Sequence, residues 1–235
     1  MKDYVDKARK ELQQLADAKT LASAQKFFKE PILAYGVKTP DARAIAKSLW
    51  KECKQETKAT IFGYCEQLWQ SGYVEESVIA CEWSYSLRKQ FEAKDMKVFE
   101  KWIQQYVNNW SSCDNFCNNT VGALLTQYPE HLSLLTKWAT SSNRWMRRAA
   151  AVSLILPARN GLFLTEAIDI ATQQLHDTDD LVQKGYGWLL KVASKHHEKA
   201  IFRFIMTHKQ EMPRTALRYA IELMPAELKA KAMSR

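Results

Sequence analysis

"TPDARAIAKSLW", residues 39–50, carries the start of a helix in its own letters. Thr39 is the expected N-cap, Pro40 takes the first helical position, where its missing N–H is not needed, and Asp41 puts negative charge in the first turn. Apolar residues then return at Ala42, Ile45, Ala46 and Leu49, one face of a 3.6-residue period. The same grammar recurs in "YPEHLSLLTKWA" with Pro129, in "MPRTALRYAIELM" with Pro213 and in "MPAELKAKAM" with Pro225. No strand-like alternation separates these segments. The 7 glycines among 235 residues are under half the average share of about 7%. The expected fold is all-α.

Repeats decide the architecture of such a chain. One landmark can be taken per apolar helix: Trp83 in "ACEWSYSLRK", Asp114, Arg148 in "WMRRAAAVSLI", Lys184 in "VQKGYGWLLKVA" and Arg218 in "RTALRYAIEL". They stand 31, 34, 36 and 34 residues apart. A helix pair per interval predicts a HEAT- or armadillo-like solenoid, one domain over residues 1–235, with a helical bundle as the alternative. In a solenoid the later helix of each pair lines a concave surface. Trp110, Asp114, Arg144, Arg148, Lys184, Trp188, Lys191, Arg214 and Arg218 would form a row along it, several of them four apart and so on one helical face. That row is basic with aromatic interruptions. Solvated charged faces rarely carry tryptophan, whereas nucleic-acid surfaces interleave rings with arginines.

A net charge of +8 agrees, since lysine and arginine displace counterions from phosphate backbones. Five cysteines, an odd number, and the charged start "MKDYVDKARKEL" predict a reducing, cytoplasmic setting with no disulfide framework. No apolar run reaches the roughly 20 residues that span a bilayer, so a soluble protein without membrane attachment is expected.

Metal ligation has little support: Cys113 and Cys117 lie four apart but no second pair follows, and His131 and His176 stand alone. The cysteines read as small buried residues, and no metal or cofactor is expected. Gly185 and Gly187 sit in "KGYGW" inside a helical pattern, which predicts close helix packing rather than a phosphate loop. There remains "NNWSSCDNFCNN", residues 108–119, where Asp114 has no lysine or arginine within several residues and follows Trp110 by one helical turn. Two readings stay open. Asp114 is a helix N-cap with Trp110 in the core, or it is an acid in a positive, aromatic-walled groove that stabilises a cation forming in its substrate.

"YGVKTPDARAIAK", "NNWSSCDNFCNNTVG", "SSNRWMRRAAAVSLI" and "QKGYGWLLKVASK" resemble, in order and spacing, the AlkD-like family of DNA alkylation repair proteins. The resemblance runs from about residue 20 to about residue 225. It implies a HEAT-like solenoid that holds duplex DNA in a basic groove, and a glycosylase that removes N3- and N7-alkylated purines without flipping the base into a pocket. It further implies that the catalytic acid falls on Asp114, the groove tryptophans on Trp110 and Trp188, and a DNA-backbone contact on Arg148. The family often has tyrosine where this chain has Phe28, which lacks a hydroxyl for one backbone contact. It also often has acids or aromatics where this chain has Ser111, Ser112 and Cys113.

The implied chemistry suits a single carboxylate. Alkylation makes the purine a cationic leaving group that needs no protonation, unlike a sugar leaving group, which calls for a carboxylate pair. As the N-glycosidic bond lengthens, Asp114 would stabilise the oxocarbenium-like deoxyribose and orient water. Trp110 and Trp188 would lie against the sugar and backbone. Arg144, Arg147, Arg148, Lys184, Lys191, Arg214 and Arg218, with Phe28, would hold the DNA around the lesion and read no sequence. The expected partner is double-stranded DNA containing alkylated bases, bound by a monomer. A non-catalytic binder of damaged or branched DNA is the alternative on the same scaffold, and a protein-interaction scaffold is a third.

Overall fold

Tyr4, Val5, Ala8 and Leu12 share one face of the first helix, α1 (Tyr4–Gln14), and all four are buried. The computed structural model to which this helix belongs describes residues 4–28 and 30–234. Its helices fall into two compact units, Met1–Phe116 and Cys117–Arg235. The fold is the all-α, helical-repeat type that the sequence predicts, and no β-strand forms among the described residues.

In the first unit α1 is followed by α2 (Ala18–Phe27), α3 (Thr39–Cys53), α4 (Lys58–Gln70), α5 (Val74–Ser86), α6 (Asp95–Gln105) and α7 (Trp110–Asn115). Ala42, Ile45, Ala46 and Leu49 of α3 are buried as their period requires, and α3 packs on α1 and α5. Its start differs from expectation in one respect. The N-cap is Lys38, Thr39 is already helical, and no side chain caps the turn. The core of this unit is aromatic: Phe62, Phe91, Phe99, Trp102 and Phe116 meet edge-on or tilted with ring centroids 5.2–5.8 Å apart. Two indole N–H groups of this unit are satisfied. Trp83 donates to the Ala46 carbonyl at 2.9 Å and Trp102 to Glu66 at 3.3 Å. Burial opposes ionisation of Glu66, but donors from Lys101, Trp102 and Tyr106 prevail and hold its carboxyl below the usual range.

After α7 the helix widens to π geometry over Phe116–Val121. The second unit then runs through α8 (Gly122–Gln127), α9 (Leu132–Ala139), α10 (Arg144–Val152), α11 (Ile155–Ala158), α12 (Leu164–Gln173), α13 (Asp180–His208), α14 (Arg214–Ala220) and α15 (Ala226–Met233). The long α13 is the spine on which α10, α11, α12 and α14 pack, and it kinks at His197, whose φ of −131° leaves the helical region. All five cysteines are buried, and desolvation pushes the Cys53 thiol up to about 11. No helix among the described residues is long and apolar enough to cross a membrane.

The close packing expected at "KGYGW" is present. A Cβ on Gly187 would lie 2.8 Å from the Ala216 carbonyl oxygen and 2.8 Å from Tyr219 Cβ, so α13 meets α14 almost backbone to backbone. Gly63 in α4 is the opposite case, with nothing within 4 Å of an added Cβ. Two alanine substitutions of equal helix propensity therefore have opposite signs. Gly187→Ala is expected to lower stability by about 1–3 kcal/mol through overpacking. Gly63→Ala is expected to raise it by up to about 1 kcal/mol. Urea denaturation of both variants beside the wild type measures the difference.

Candidate functional site

Asn109 takes the capping position that one reading gives to Asp114. Its side-chain oxygen accepts the Ser112 N–H at 2.9 Å, which makes Asn109 the N-cap and starts α7 at Trp110. Asp114 therefore lies inside the helix, one turn beyond Trp110 and on the same face, and the capping reading is excluded. Both side chains are half-buried. Two residues after Asp114, Phe116 is fully buried in the aromatic core and begins the π segment, a helix irregularity frequent at functional sites.

Trp110 is held from the side by α2. Phe28 stacks on its ring at 5.3 Å with an interplanar angle of 24°, and Phe27 meets it edge-on at 5.5 Å and 66°. Phe28 thus supplies a ring contact. Beside this wall is a cavity of about 650 Å³, all of whose lining belongs to the first unit, with Lys19, Lys38, Thr20 and Thr39 among its polar residues. None of Phe27, Lys19 or Lys38 was expected from the sequence. The available signal was the doubled aromatic in "AQKFFKEP", at the end of a helix with no core face.

A buried carboxylate shapes the cavity's edge. Glu75, at the start of α5, accepts N–H groups from Tyr35 at 3.1 Å, Gly36 at 2.9 Å and Val37 at 3.0 Å. Its neighbour Glu76, also buried, accepts the Tyr35 hydroxyl at 2.7 Å and pairs with Arg9 at 3.2 Å. Burial, and then Glu76, raise the Tyr35 phenol well above its usual value. The turn fixed in this way receives α2, because the Asp17 N–H donates to the Gly36 carbonyl at 3.3 Å. Asp17 caps α2 through the Thr20 N–H at 2.7 Å, and bonds from the Thr20 side chain and backbone hold its carboxyl below the usual range.

The remaining expected site residues lie in the second unit. Arg148 is 5% exposed, donates to the Leu181 carbonyl and packs beside Gly185, whose missing side chain leaves it room. A phosphate contact would require that guanidinium to leave the carbonyl. Arg147 is bound to Asp177 at 2.6 Å and to the Ser141 carbonyl at 2.9 Å. Arg144 pairs with Asp179 at 2.8 Å, Lys184 with Asp180 at 3.0 Å and Lys191 with Glu222 at 3.0 Å. Trp188 is half-buried on α13, on the face it shares with Lys184 and Lys191, and Arg214 and Arg218 are exposed one turn apart on α14.

A family model described as "DNA alkylation repair enzyme" matches residues 8–224. The chain belongs to that family, and with it to DNA repair. Its fold is similar to the solved structure of a predicted DNA alkylation repair enzyme from Enterococcus faecalis, with a TM-score of 0.78, 18% identity, and coverage of 89% of this chain and 97% of that one. No curated protein matches.

The Glu75 clamp makes a prediction of its own. Glu75→Ala strands buried N–H groups and is expected to cost at least about 2 kcal/mol. Amide exchange over Ala18–Phe27 should accelerate more than exchange in α4, which a peptide-resolved hydrogen-exchange experiment measures.

Proposed function

We propose that this chain is a DNA glycosylase that excises cationic N3- and N7-alkylated purines from duplex DNA, with Asp114 as the one acid acting at the sugar. The observation that carries the reading is the position of Asp114: inside a short helix capped by another residue, half-buried, one turn from Trp110. Family membership in DNA alkylation repair supports it.

In this mechanism the leaving group arrives already charged, so protonation is not the barrier. The carboxylate is needed where charge develops, at the deoxyribose as the N-glycosidic bond opens. A carboxylate fixed on a helix does not have to reorganise at that moment. Trp110, braced by Phe27 and Phe28, excludes water on one side and adds cation–π attraction of about 0.5–2 kcal/mol to the oxocarbenium-like sugar. Asp114 then orients the water that attacks the anomeric carbon. Trp188 is assigned by resemblance to the backbone flanking the lesion. Arg214 and Arg218 are the most accessible phosphate contacts of the second unit, while Arg144, Arg147, Lys184 and Lys191 would have to exchange a carboxylate for a phosphate.

Release of free methylated purine from methylated duplex DNA tests the reading. Asp114→Asn keeps shape and deletes charge, and is expected to lower the single-turnover excision rate at least about tenfold, the factor that ~1.4 kcal/mol of lost transition-state stabilisation produces. DNA affinity should change little. A variant that excises like the wild type would falsify the role of Asp114, and absence of release by the wild type, with salt-sensitive DNA binding intact, would favour a non-catalytic DNA binder. The exposed cations give a second test. Arg218→Gln is expected to flatten the slope of log affinity against log salt by about one unit. Arg147→Gln should leave that slope nearly unchanged and lower the melting temperature instead, because its guanidinium is bound within the fold.

A further inference from the structure

The helix α2 is built unlike its neighbours. None of its ten residues is buried, yet its last residue and its C-cap are consecutive phenylalanines, Phe27 and Phe28. Phe27 is 69% exposed. With Phe28 and Trp110 it forms a contiguous aromatic patch beside the cavity, and contiguous apolar patches of this kind mark binding surfaces.

We propose that the cavity between α2 and the start of α3 is a subsite for one unstacked nucleobase together with its phosphate, drawn from the bound DNA. The inference rests on the DNA-repair reading above and adds a second binding position to it. Three features of the cavity agree with this ligand. Its apolar wall is flat and aromatic: Phe28 and Trp110 stack, and Phe27 closes the corner edge-on. Aromatic faces of this kind bind any base through its π-face, without reading hydrogen bonds. Its polar side presents the exposed ammonium groups of Lys19 and Lys38 and the hydroxyl-bearing Thr20 and Thr39. The two carboxylates that also line it, Asp17 and Glu75, are turned to backbone N–H groups: Asp17 to Thr20, and Glu75 to Tyr35, Gly36 and Val37. The formal charges of these four groups balance, but the carboxylates already accept backbone N–H bonds while the two exposed ammonium groups are donors placed to meet a phosphate. Its volume, about 650 Å³, lies within the usual range for sites that enclose a small organic group.

The subsite explains the Phe28–Trp110 stack as well. In the free protein the two rings cover each other, and Phe27 stands at the edge as the surface a base meets first. Because no α2 residue is in the core, the helix can shift outward to admit a third ring without opening the unit.

The test uses the full chain and two duplexes of the same sequence, one fully paired and one with a single bulged 2-aminopurine, neither of which is a substrate for excision. Phe27→Ala leaves the core untouched and is a folded control for the cavity. Lys19→Gln combined with Lys38→Gln removes its ammonium groups. Each variant is expected to weaken binding of the bulged duplex by at least about fivefold, the lower end of what one base–aromatic stack contributes, with less than a twofold change on the paired duplex. The 2-aminopurine emission should fall on binding to the wild type and fall less with Phe27→Ala. Equal weakening on both duplexes, or no weakening on either, overturns the proposal. Deoxyadenosine monophosphate added as competitor separates the sources of the ligand: displacement of the bulged duplex assigns the cavity to free mononucleotides also, and no displacement confines it to nucleotides within DNA. Loss of excision by Asp114→Asn with an unchanged Phe27→Ala variant sinks the subsite alone. Failure of the wild type to bind either duplex, with the monophosphate still bound, sinks the repair reading and leaves the cavity.

Discussion

The carboxylate of Glu75 is the constraint on which the first unit depends. Three consecutive N–H groups, from Tyr35, Gly36 and Val37, converge on it, and the residue itself is 4% exposed. A chain segment folds in this manner only if a buried acceptor waits for it, and only if one residue of the three can adopt a left-handed backbone. Gly36 does so, with φ of +84°. Its open Cα also lets the turn lie against Asp17 and Leu21, so the turn carries α2 on its outer side. The helix that bears Phe27 and Phe28 is placed by hydrogen bonds to this turn and by stacking on Trp110, not by a buried face of its own. Placement by so few contacts leaves α2 free to respond to a ligand, as local stability follows the number of buried contacts.

In the second unit the equivalent constraint is electrostatic. The loop before α13 brings Asp177 to Arg147 and Asp179 to Arg144 of α10, and Asp179 also caps α13. Gln174 returns the connection by donating to the Arg147 carbonyl at 2.5 Å. These pairs fix where α13 begins relative to α10. They also mean that these cations are committed within the fold, and the net charge of +8 already subtracts the acids that hold them. Arg147, 20% exposed against a 9% exposed Asp177, is structural in this sense, whereas Arg214 and Arg218 stand in solvent.

Features carried by local grammar were legible in the sequence. The apolar face of α3, the helices at Pro129, Pro213 and Pro225, and the tight crossing at Gly187 follow from spacing and residue type alone. So did the Trp110–Asp114 pair, though not its setting, because Asn109 and Asp114 are both good N-caps and only the start of the helix separates them. Long-range partners were not legible. Nothing near Arg147 in the chain announces Asp177, 30 residues on, and a row of cations reads the same whether or not each already has its acid. Glu75 looked like any first-turn glutamate, since its three donors lie some 40 residues upstream. Phe27 and Phe28 were hidden for the opposite reason. A doubled aromatic ordinarily signals core, and here it marks a surface.

The two ends of α7 show why position, more than residue identity, carries the proposed chemistry. At one end Asn109 ties the first turn, and at the other Phe116 is packed edge-on against Trp69 and Phe99 at 5.4 Å. Trp110 and Asp114 ride between these two anchors on the first six residues of a helical run that continues into the π segment. Tertiary anchoring at both points fixes the backbone that carries the carboxylate. An acid on a flexible loop would have to be reoriented each time charge developed beside it, losing much of what it gains. In the proposed mechanism an acid carried on a backbone held from both sides would give its stabilisation only to a substrate brought up to it, the condition for favouring the oxocarbenium-like state over the intact nucleotide.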